Sequence, residues 1–392
     1  MPFVALGNFA SGASQIQTSP DAVTWTPSAH PLMKGGFCLA FGNNRFVIVG
    51  FDSGGVLSTS LVSLDGGLTW TQHPVPQPLG VAYQSLTYST LLSRFVAIDN
   101  GNGIFANVIT SPDGIVWTLS ATIPQGADTQ FYECITSGGP AVLLAVGDDS
   151  ASHKVVATSP DSIAWTTRLG AGTGKDWNGV TFASGQYVAV TGVSANHQVM
   201  TSPDGITWTL QVTPLPRMFW KAVTFGGPGP GLFVAVGVTP SNPPLPEIMT
   251  SPDGVTWTQQ TPPVINPLAL QSVTFFNGLF VAVGFGTGGR NILTSPDGFI
   301  WTLQASAIAD NLQAVAGAVG SPPPVTPPAR FSFGIGGAGG FGGGGMIGSA
   351  MKPCRTTDFD WAKYRQILEA QREQLKDPRA RSIYFGVERW WR

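Results

Sequence analysis

Short apolar segments recur along the first 320 residues, separated by polar and glycine- or proline-containing stretches. Each is a five-residue run that begins with an aromatic residue or leucine, as in Phe233-Val-Ala-Val-Gly237. Continuous apolar runs of this length, bounded by turn residues, predict strands that are buried on both faces. A second apolar element, such as Ala222-Val-Thr-Phe225, precedes most of them. The pattern predicts an all-β protein built from repeated units.

A Ser-x-Asp motif that ends in tryptophan follows each apolar run. The seven copies end, 46 residues apart on average, at Trp25, Trp70, Trp117, Trp165, Trp208, Trp257 and Trp301. The usual Pro presets φ for a tight turn, Asp accepts hydrogen bonds from the next backbone N–H groups, and Gly accepts a positive φ. The β-branched residue and Trp then begin a new strand. Each unit is predicted to contain four strands, named A to D in chain order, with the motif between C and D.

The Ser-x-Asp-x-Gly-x-x-Trp pattern resembles the Asp-box, or BNR, repeat of sialidase-like and sortilin-like β-propellers. In that family the motif forms the turn between the third and fourth strands of a blade. Ala22 and Ser162 stand at the glycine position in two copies, which leaves the geometry of those two turns open. Four-stranded units of this period are typical of propeller blades. The sequence predicts a seven-bladed β-propeller over residues 1–320.

The two ends of the repeat array are expected to meet in one blade. The sequence begins at a B strand, residues 3–7, with no A strand before it. Residues 312–319 follow the last D strand and resemble the A strand at residues 270–275. Pairing of residues 312–319 with residues 3–7 would close the ring and remove open sheet edges.

The motif aspartates are expected to be structural. A turn needs its cap in every unit, whereas a catalytic acid is needed once or twice. The seven are Asp21, Asp65, Asp113, Asp161, Asp204, Asp253 and Asp297. The same argument applies to the motif tryptophans.

Ligand-binding residues are expected on the face that carries the B–C and D–A connections. These connections are long and variable, and loops on a rigid scaffold concentrate binding residues. The candidates are Asp148, Asp149, Arg168, Lys175, Asp176, Trp177, Arg217, Trp220 and Arg290. Trp177 and Trp220 lie outside the motifs, and either stack on a sugar ring or pack within the loops.

A glycosidase is the alternative to a binding protein. Sialidases of the resembling fold use three arginines, a Tyr/Glu nucleophile pair and an acid/base Asp, and the Arg-Ile-Pro stretch that holds their first arginine is missing here. Three arginines do fall on the loop-bearing face, but Glu133 and Glu247 are the only glutamates before residue 320. Hydrolysis needs a carboxylate pair at a defined separation. We therefore assign no catalytic residue, and we expect no metal and no cofactor, since the histidines lack ligand spacing.

Composition and charge argue against several other classes. Charged residues make up 11% of the chain, and 50 glycines and 32 prolines argue against a helical bundle or coiled coil. Residues 1–320 hold 16 acidic and 9 basic side chains, which argues against nucleic acid as a partner. No apolar run is long enough for a membrane-spanning helix, and the N-terminus lacks the features of a secretory signal.

The last 72 residues differ from the rest, with 6 acidic and 11 basic side chains. Residues 321–356 are rich in Pro and Gly and are predicted to form a linker. Residues 357–392 are predicted to form a helical docking segment for another subunit, the alternative being a short appendage that folds onto the propeller or stays disordered. Its candidate docking residues are Trp361, Tyr364 and Leu368 on one helix face, with Trp390 and Trp391 at the end.

Together these features resemble tailed-bacteriophage tail, fibre or decoration proteins. The resemblance implies a non-enzymatic virion protein, made in the host cytoplasm, with no membrane insertion. Its ring would bind a host-surface glycan or a neighbouring subunit, and residues 357–392 would dock to other virion proteins. The alternatives are a sialidase-like glycoside hydrolase and an intracellular assembly scaffold.

Overall fold

The structure, a computed structural model, describes the chain between residues 2 and 318 with gaps at the longer connections. The described residues are 2–7, 15–31, 33–52, 58–76, 83–99, 105–124, 130–149, 154–172, 176–192, 199–214, 218–263, 265, 267–308 and 311–318. All of them belong to one unit, Met1–Thr326. The predicted linker, the docking segment and its candidate residues Trp361, Tyr364, Leu368, Trp390 and Trp391 lie outside the described residues.

Twenty-eight strands form seven four-stranded sheets, one for each predicted unit. Blade 1 begins with β1 (Phe3–Gly7), β2 (Ile16–Ser19) and β3 (Thr26–Pro27), and blade 2 has β4 (Met33–Gly42), β5 (Arg45–Asp52), β6 (Ser58–Ser63) and β7 (Thr71–Pro74). Blade 3 has β8 (Tyr83–Ser89), β9 (Arg94–Asp99), β10 (Phe105–Ser111) and β11 (Thr118–Pro124), and blade 4 has β12 (Gln130–Ser137), β13 (Leu143–Asp149), β14 (Lys154–Ser159) and β15 (Thr166–Leu169). Blade 5 has β16 (Trp177–Ala183), β17 (Gln186–Thr191), β18 (Val199–Ser202) and β19 (Thr209–Gln211), and blade 6 has β20 (Phe219–Gly226), β21 (Leu232–Val238), β22 (Pro246–Ser251) and β23 (Thr258–Gln260). Blade 7 has β24 (Leu268–Phe276), β25 (Leu279–Gly286), β26 (Ile292–Ser295) and β27 (Thr302–Gln304), and β28 (Leu312–Gly317) completes blade 1.

The ring closes as the sequence predicts. Strand β28 pairs antiparallel with β1, with Phe3 opposite Gly317 and Ala5 opposite Val315, while β2 pairs with the other edge of β1. The A strands of neighbouring blades contact one another around the whole ring, including β28 with β4. The A strands therefore line the centre, and the seven-bladed all-β propeller closed by both terminal strands is confirmed.

The hydrophobic core lies between blades. The described residues form seven buried clusters, one at each interface between neighbouring blades. In β1, Val4 belongs to the same buried cluster as Ile48 of blade 2, and Ala5 belongs to the same cluster as Val281 of blade 7. Successive side chains of a strand point to opposite faces, so each B strand serves two interfaces. This explains why the B strands read as continuous apolar runs.

Each Ser-x-Asp turn is held by its own aspartate. In blade 5, Asp204 Oδ1 accepts hydrogen bonds from Ile206 N (2.8 Å), Thr207 N (2.9 Å) and Ser202 Oγ (2.9 Å). The same serine-to-aspartate bond is present in all seven turns, at 2.8–3.3 Å. Ala22 (φ 61°) and Ser162 (φ 69°) adopt the left-handed conformation that glycine adopts in the other turns. The two departures from the motif therefore leave the turn geometry unchanged.

Each motif tryptophan ties its turn to the blade. Its indole N–H donates to the carbonyl three residues earlier, at 2.8–3.3 Å in all seven copies. The turn also packs on the preceding blade, and a Cβ at Gly114 would lie 2.5 Å from Val47 of blade 2. The motif therefore joins neighbouring blades as well as strands C and D. In the described part of the chain, no helix has the length and apolarity to cross a bilayer.

Candidate functional site

The loop face carries the B–C and D–A connections, and the turn face carries the A–B turns and the Ser-x-Asp turns. Near the loop face, the register between strands A and B shifts by one residue in every blade. The extra residues are Phe37, Gln84, Glu133, Asn178, Lys221, Gln271 and Gln313, and blade 2 has a second shift at Lys34. A bulge of this kind re-aims the local side chains and is frequent next to binding sites.

A glycine on strand B makes room for the bulge. A Cβ at Gly237 would lie 2.3 Å from the carbonyl oxygen of Phe219, and a Cβ at Gly284 would lie 2.2 Å from that of Ala269. Blades 3 and 5 carry Asp99 and Thr191 at this position instead. A side chain at Gly237 or Gly284 would therefore clash with the backbone of strand A.

The polar bulge residues form what we call the channel ring: Gln84, Glu133, Asn178, Lys221, Gln271 and Gln313. All six are half-buried on the strands that line the centre of the propeller. Asn178 Nδ2 donates to Trp220 O of the next blade at 3.0 Å, and Gln271 Nε2 donates to Ala269 O at 3.3 Å. Four of the six are amides, which offer both donors and acceptors to a ligand.

One arc of the channel ring is charged. Glu133 of blade 4 interacts electrostatically with Lys221 of blade 6 and with Asp176, which directly precedes β16. Burial raises the pKa of Glu133, the Lys221 ammonium opposes that shift, and the Asp176 carboxylate adds to it. The cluster therefore combines a carboxyl group that holds its proton more tightly than usual with a second carboxylate and an ammonium group.

The structure places the two candidate tryptophans in the core. Trp177 and Trp220 are fully buried, each directly before a bulge residue. They pack in the clusters between blades 4 and 5 and between blades 5 and 6. Stacking on a sugar ring is therefore not available to them in this structure, because a ligand needs an exposed ring face.

The other candidates lie at scattered places. Arg168 is on the outermost strand of blade 4, where its Nε donates to Thr158 Oγ1 at 3.4 Å, and Arg290 is exposed in the B–C connection of blade 7. Blades 4 and 7 are not neighbours, so these two arginines do not meet. Asp148 is half-buried at the end of β13, and Asp176 joins the charged arc.

Asp149 pairs through its backbone with Gln130. Lys175 and Arg217 lie outside the described residues.

The turn aspartates are not part of the channel ring. Backbone N–H bonds from Thr207 and Ile206 lower the pKa of Asp204, and Ala164 and Ile163 do the same for Asp161. These carboxylates are thus ionised and engaged by their own turns. They lie on the turn face, at the opposite end of the propeller from the channel ring.

Potential metal ligands are dispersed. In the part of the chain that the structure describes, no three His, Cys, Asp or Glu side chains converge on one point. Cys38 follows a bulge residue in blade 2, and burial raises the pKa of its thiol to about 12. Cys134 occupies the equivalent place in blade 4, and burial raises its pKa as well. Both thiols are therefore poor nucleophiles at neutral pH.

The sequence contains a signal for the channel ring that strand patterns alone do not show. In six blades a polar residue stands between a large buried residue and a small one, as in Trp177-Asn178-Gly179 and Leu270-Gln271-Ser272. Blade 2 reverses the pattern with Gly36-Phe37-Cys38. Aligning the units on their A strands would have shown this column.

Comparison with known proteins shows the fold and no family. No family model matches the chain, and no curated protein matches it. Among solved structures, the BP39L lectin of Burkholderia pseudomallei is similar, with a TM-score of 0.59 and 13% identity over 77% of this chain and 94% of the lectin. The periplasmic gluconolactonase PpgL of Pseudomonas aeruginosa gives a TM-score of 0.54 and 11% identity over 81% of this chain and 99% of the other. A putative 6-phosphogluconolactonase of Bacteroides uniformis gives 0.53 and 13% over 80% and 98%.

These neighbours have different activities on the same architecture. One is a lectin and two are named as lactonases. At these identities the likeness establishes the propeller and leaves function to the site.

Proposed function

We propose that this chain is a non-enzymatic binding protein whose loop face recognises a ligand at the mouth of the central channel. The channel ring carries the proposal, because four of its six side chains are amides. Amides hydrogen-bond to a ligand but do not transfer protons as general acids or bases do. Six polar groups held on rigid strands therefore favour recognition over turnover.

At a finer level, we propose a tailed-bacteriophage virion protein of the tail, fibre or decoration type. The Asp-box resemblance of the repeats and the basic, aromatic sequence of residues 357–392 support it. The ring would be displayed for binding to a host-surface glycan or a neighbouring subunit. Residues 357–392 would dock to the particle.

Deletion of residues 357–392 tests the virion role. We expect the shortened chain to remain a folded, monomeric ring, because the blade that closes the propeller ends at Gly317. We expect it to be lost from assembled particles, measured by immunoblot of purified virions. Incorporation equal to that of the full chain would refute the docking role.

A sialidase-like glycoside hydrolase is the second candidate, favoured by the charged arc. Glycosidases use two neighbouring carboxyl groups: one with a raised pKa acts as the general acid, and the other acts as the nucleophile or the general base. Turnover of a fluorogenic sialoside that is abolished by Glu133→Gln and by Arg217→Ala would favour this candidate. Absence of turnover by the full chain, with ligand binding retained, is what the binding role predicts.

A further inference from the structure

A groove crosses the loop-face rim of blade 6, away from the channel ring. It lies where β22 begins and β23 ends. Its two sides are Leu245, Pro246 and Glu247, and residues 259–263. The groove has a volume of about 230 Å³. Typical small-molecule sites occupy ~300–1,000 Å³, so the groove is sized for a small ligand or for one unit of a larger one.

One wall of the groove is held in place by hydrogen bonds. The connection between β21 and β22 is closed by Thr239 N to Leu245 O (3.0 Å) and by Leu245 N to Thr239 Oγ1 (2.9 Å). Leu268 N of blade 7 donates to Pro244 O at 3.2 Å, which ties this wall to the next blade. Prolines on both sides further restrict the backbone. The groove is therefore preformed, so a ligand would pay little ordering entropy on entering it.

The polar chemistry of the groove centres on one carboxylate. Glu247 is half-buried, and its Oε2 accepts a hydrogen bond from Gln259 Nε2 at 3.0 Å. Its Oε1 accepts no hydrogen bond from the described residues, which leaves it available as an acceptor for an incoming group. The neighbouring amide of Gln260 is engaged with Thr250 Oγ1 at 2.8 Å. Burial raises the pKa of Glu247, in keeping with its recessed position.

Apart from Gln260 and Thr261, the remaining lining of the groove is apolar. Pro246, Pro262, Pro263 and Leu245 provide carbon surface on both sides of the Glu247–Gln259 pair. No basic side chain is among the described residues that line the groove. An acidic ligand would therefore meet the Glu247 carboxylate without a compensating cation.

We propose that this groove is a binding site for a neutral saccharide. A sugar ring presents hydroxyl groups that donate to the Glu247 carboxylate and exchange hydrogen bonds with the Gln259 amide, and C–H faces that pack on proline. Because none of the described lining residues is basic, we expect a neutral sugar to be preferred over sialic acid and other acidic sugars. The inference rests on the proposed role of the loop face in recognition and adds the ligand class and a second position on that face.

Binding of simple glycosides to the full chain tests the proposal. The probes are the methyl glycosides of glucose, galactose, mannose and N-acetylglucosamine, with the methyl glycoside of sialic acid as the acidic probe, followed by saturation-transfer NMR and calorimetry. We expect at least one neutral glycoside to bind and Glu247→Ala to weaken it by about tenfold or more. Gln304→Ala is the matched control, because Gln304 bonds to Thr294 in blade 7 as Gln260 bonds to Thr250 in blade 6. We expect it to bind as the unaltered chain does.

The outcomes separate the groove from the channel ring. If no neutral glycoside binds, if only the sialoside binds, or if Glu247→Ala binds as tightly as the control, the groove proposal is wrong. A saccharide that is lost on Lys221→Met but kept on Glu247→Ala would contradict the groove and support the channel ring. Equal unfolding midpoints for all variants show that a lost signal is lost binding and not lost folding.

Discussion

The motif tryptophans give the sharpest test of how the turns stabilise the ring. Trp257 is 7% exposed, and its indole N–H donates to Gly254 O at 2.9 Å. Trp257→Phe removes two buried ring carbons, at ~0.8 kcal/mol each. It also leaves the Gly254 carbonyl unpaired, at about 1–3 kcal/mol. The free energy of unfolding should therefore fall by about 3 kcal/mol.

Trp208→Phe is the matched control for that change. The Trp208 indole is half-buried, and its bond to Gly205 O is longer, at 3.3 Å. Water reaches the carbonyl more easily there, so we expect a loss of about 1 kcal/mol. Urea unfolding of both full-length variants, followed by far-UV circular dichroism, measures the difference. Equal losses, or a larger loss for Trp208→Phe, would show that the buried indole bond is not what holds the turn.

Two further predictions concern the turns and the bulges. Asp204 has a lowered pKa because the backbone N–H groups of Thr207 and Ile206 donate hydrogen bonds to it. Its carboxylate therefore stabilises the fold fully at pH values above the pKa of an unfolded aspartate. This stabilisation is lost as the pH falls through the lower pKa of the folded state. Asp204→Asn should flatten the acid limb of stability against pH, measured as urea midpoints from neutral to acid pH, and an unchanged limb would contradict the role of the carboxylate. Gly237→Ala should destabilise the ring by about 3 kcal/mol in thermal unfolding, because its Cβ would lie 2.3 Å from Phe219 O; an unchanged melting temperature would show that the bulge relaxes freely.

Positions that repeat in every unit were predictable from the sequence. The Ser-x-Asp motif gave the number of blades and the turn chemistry, and the unpaired A strand at residues 312–319 gave the closure with residues 3–7. Local hydrogen bonds within five residues explain this success, because Asp204 finds its donors in its own turn. The continuous apolar runs made the B strands predictable, since each B strand faces a neighbouring blade on both sides.

Positions that depend on a neighbouring strand or blade were decided by the tertiary structure alone. Trp177 and Trp220 are buried directly before a bulge, and a bulge exists only relative to a partner strand. The approach of Glu133 to Lys221 spans three blades, so no spacing along the chain encodes it. Short-range chemistry in each repeat thus determined the architecture. The register between strands and the closure of the ring determined which polar side chains meet, because those contacts join residues far apart in sequence.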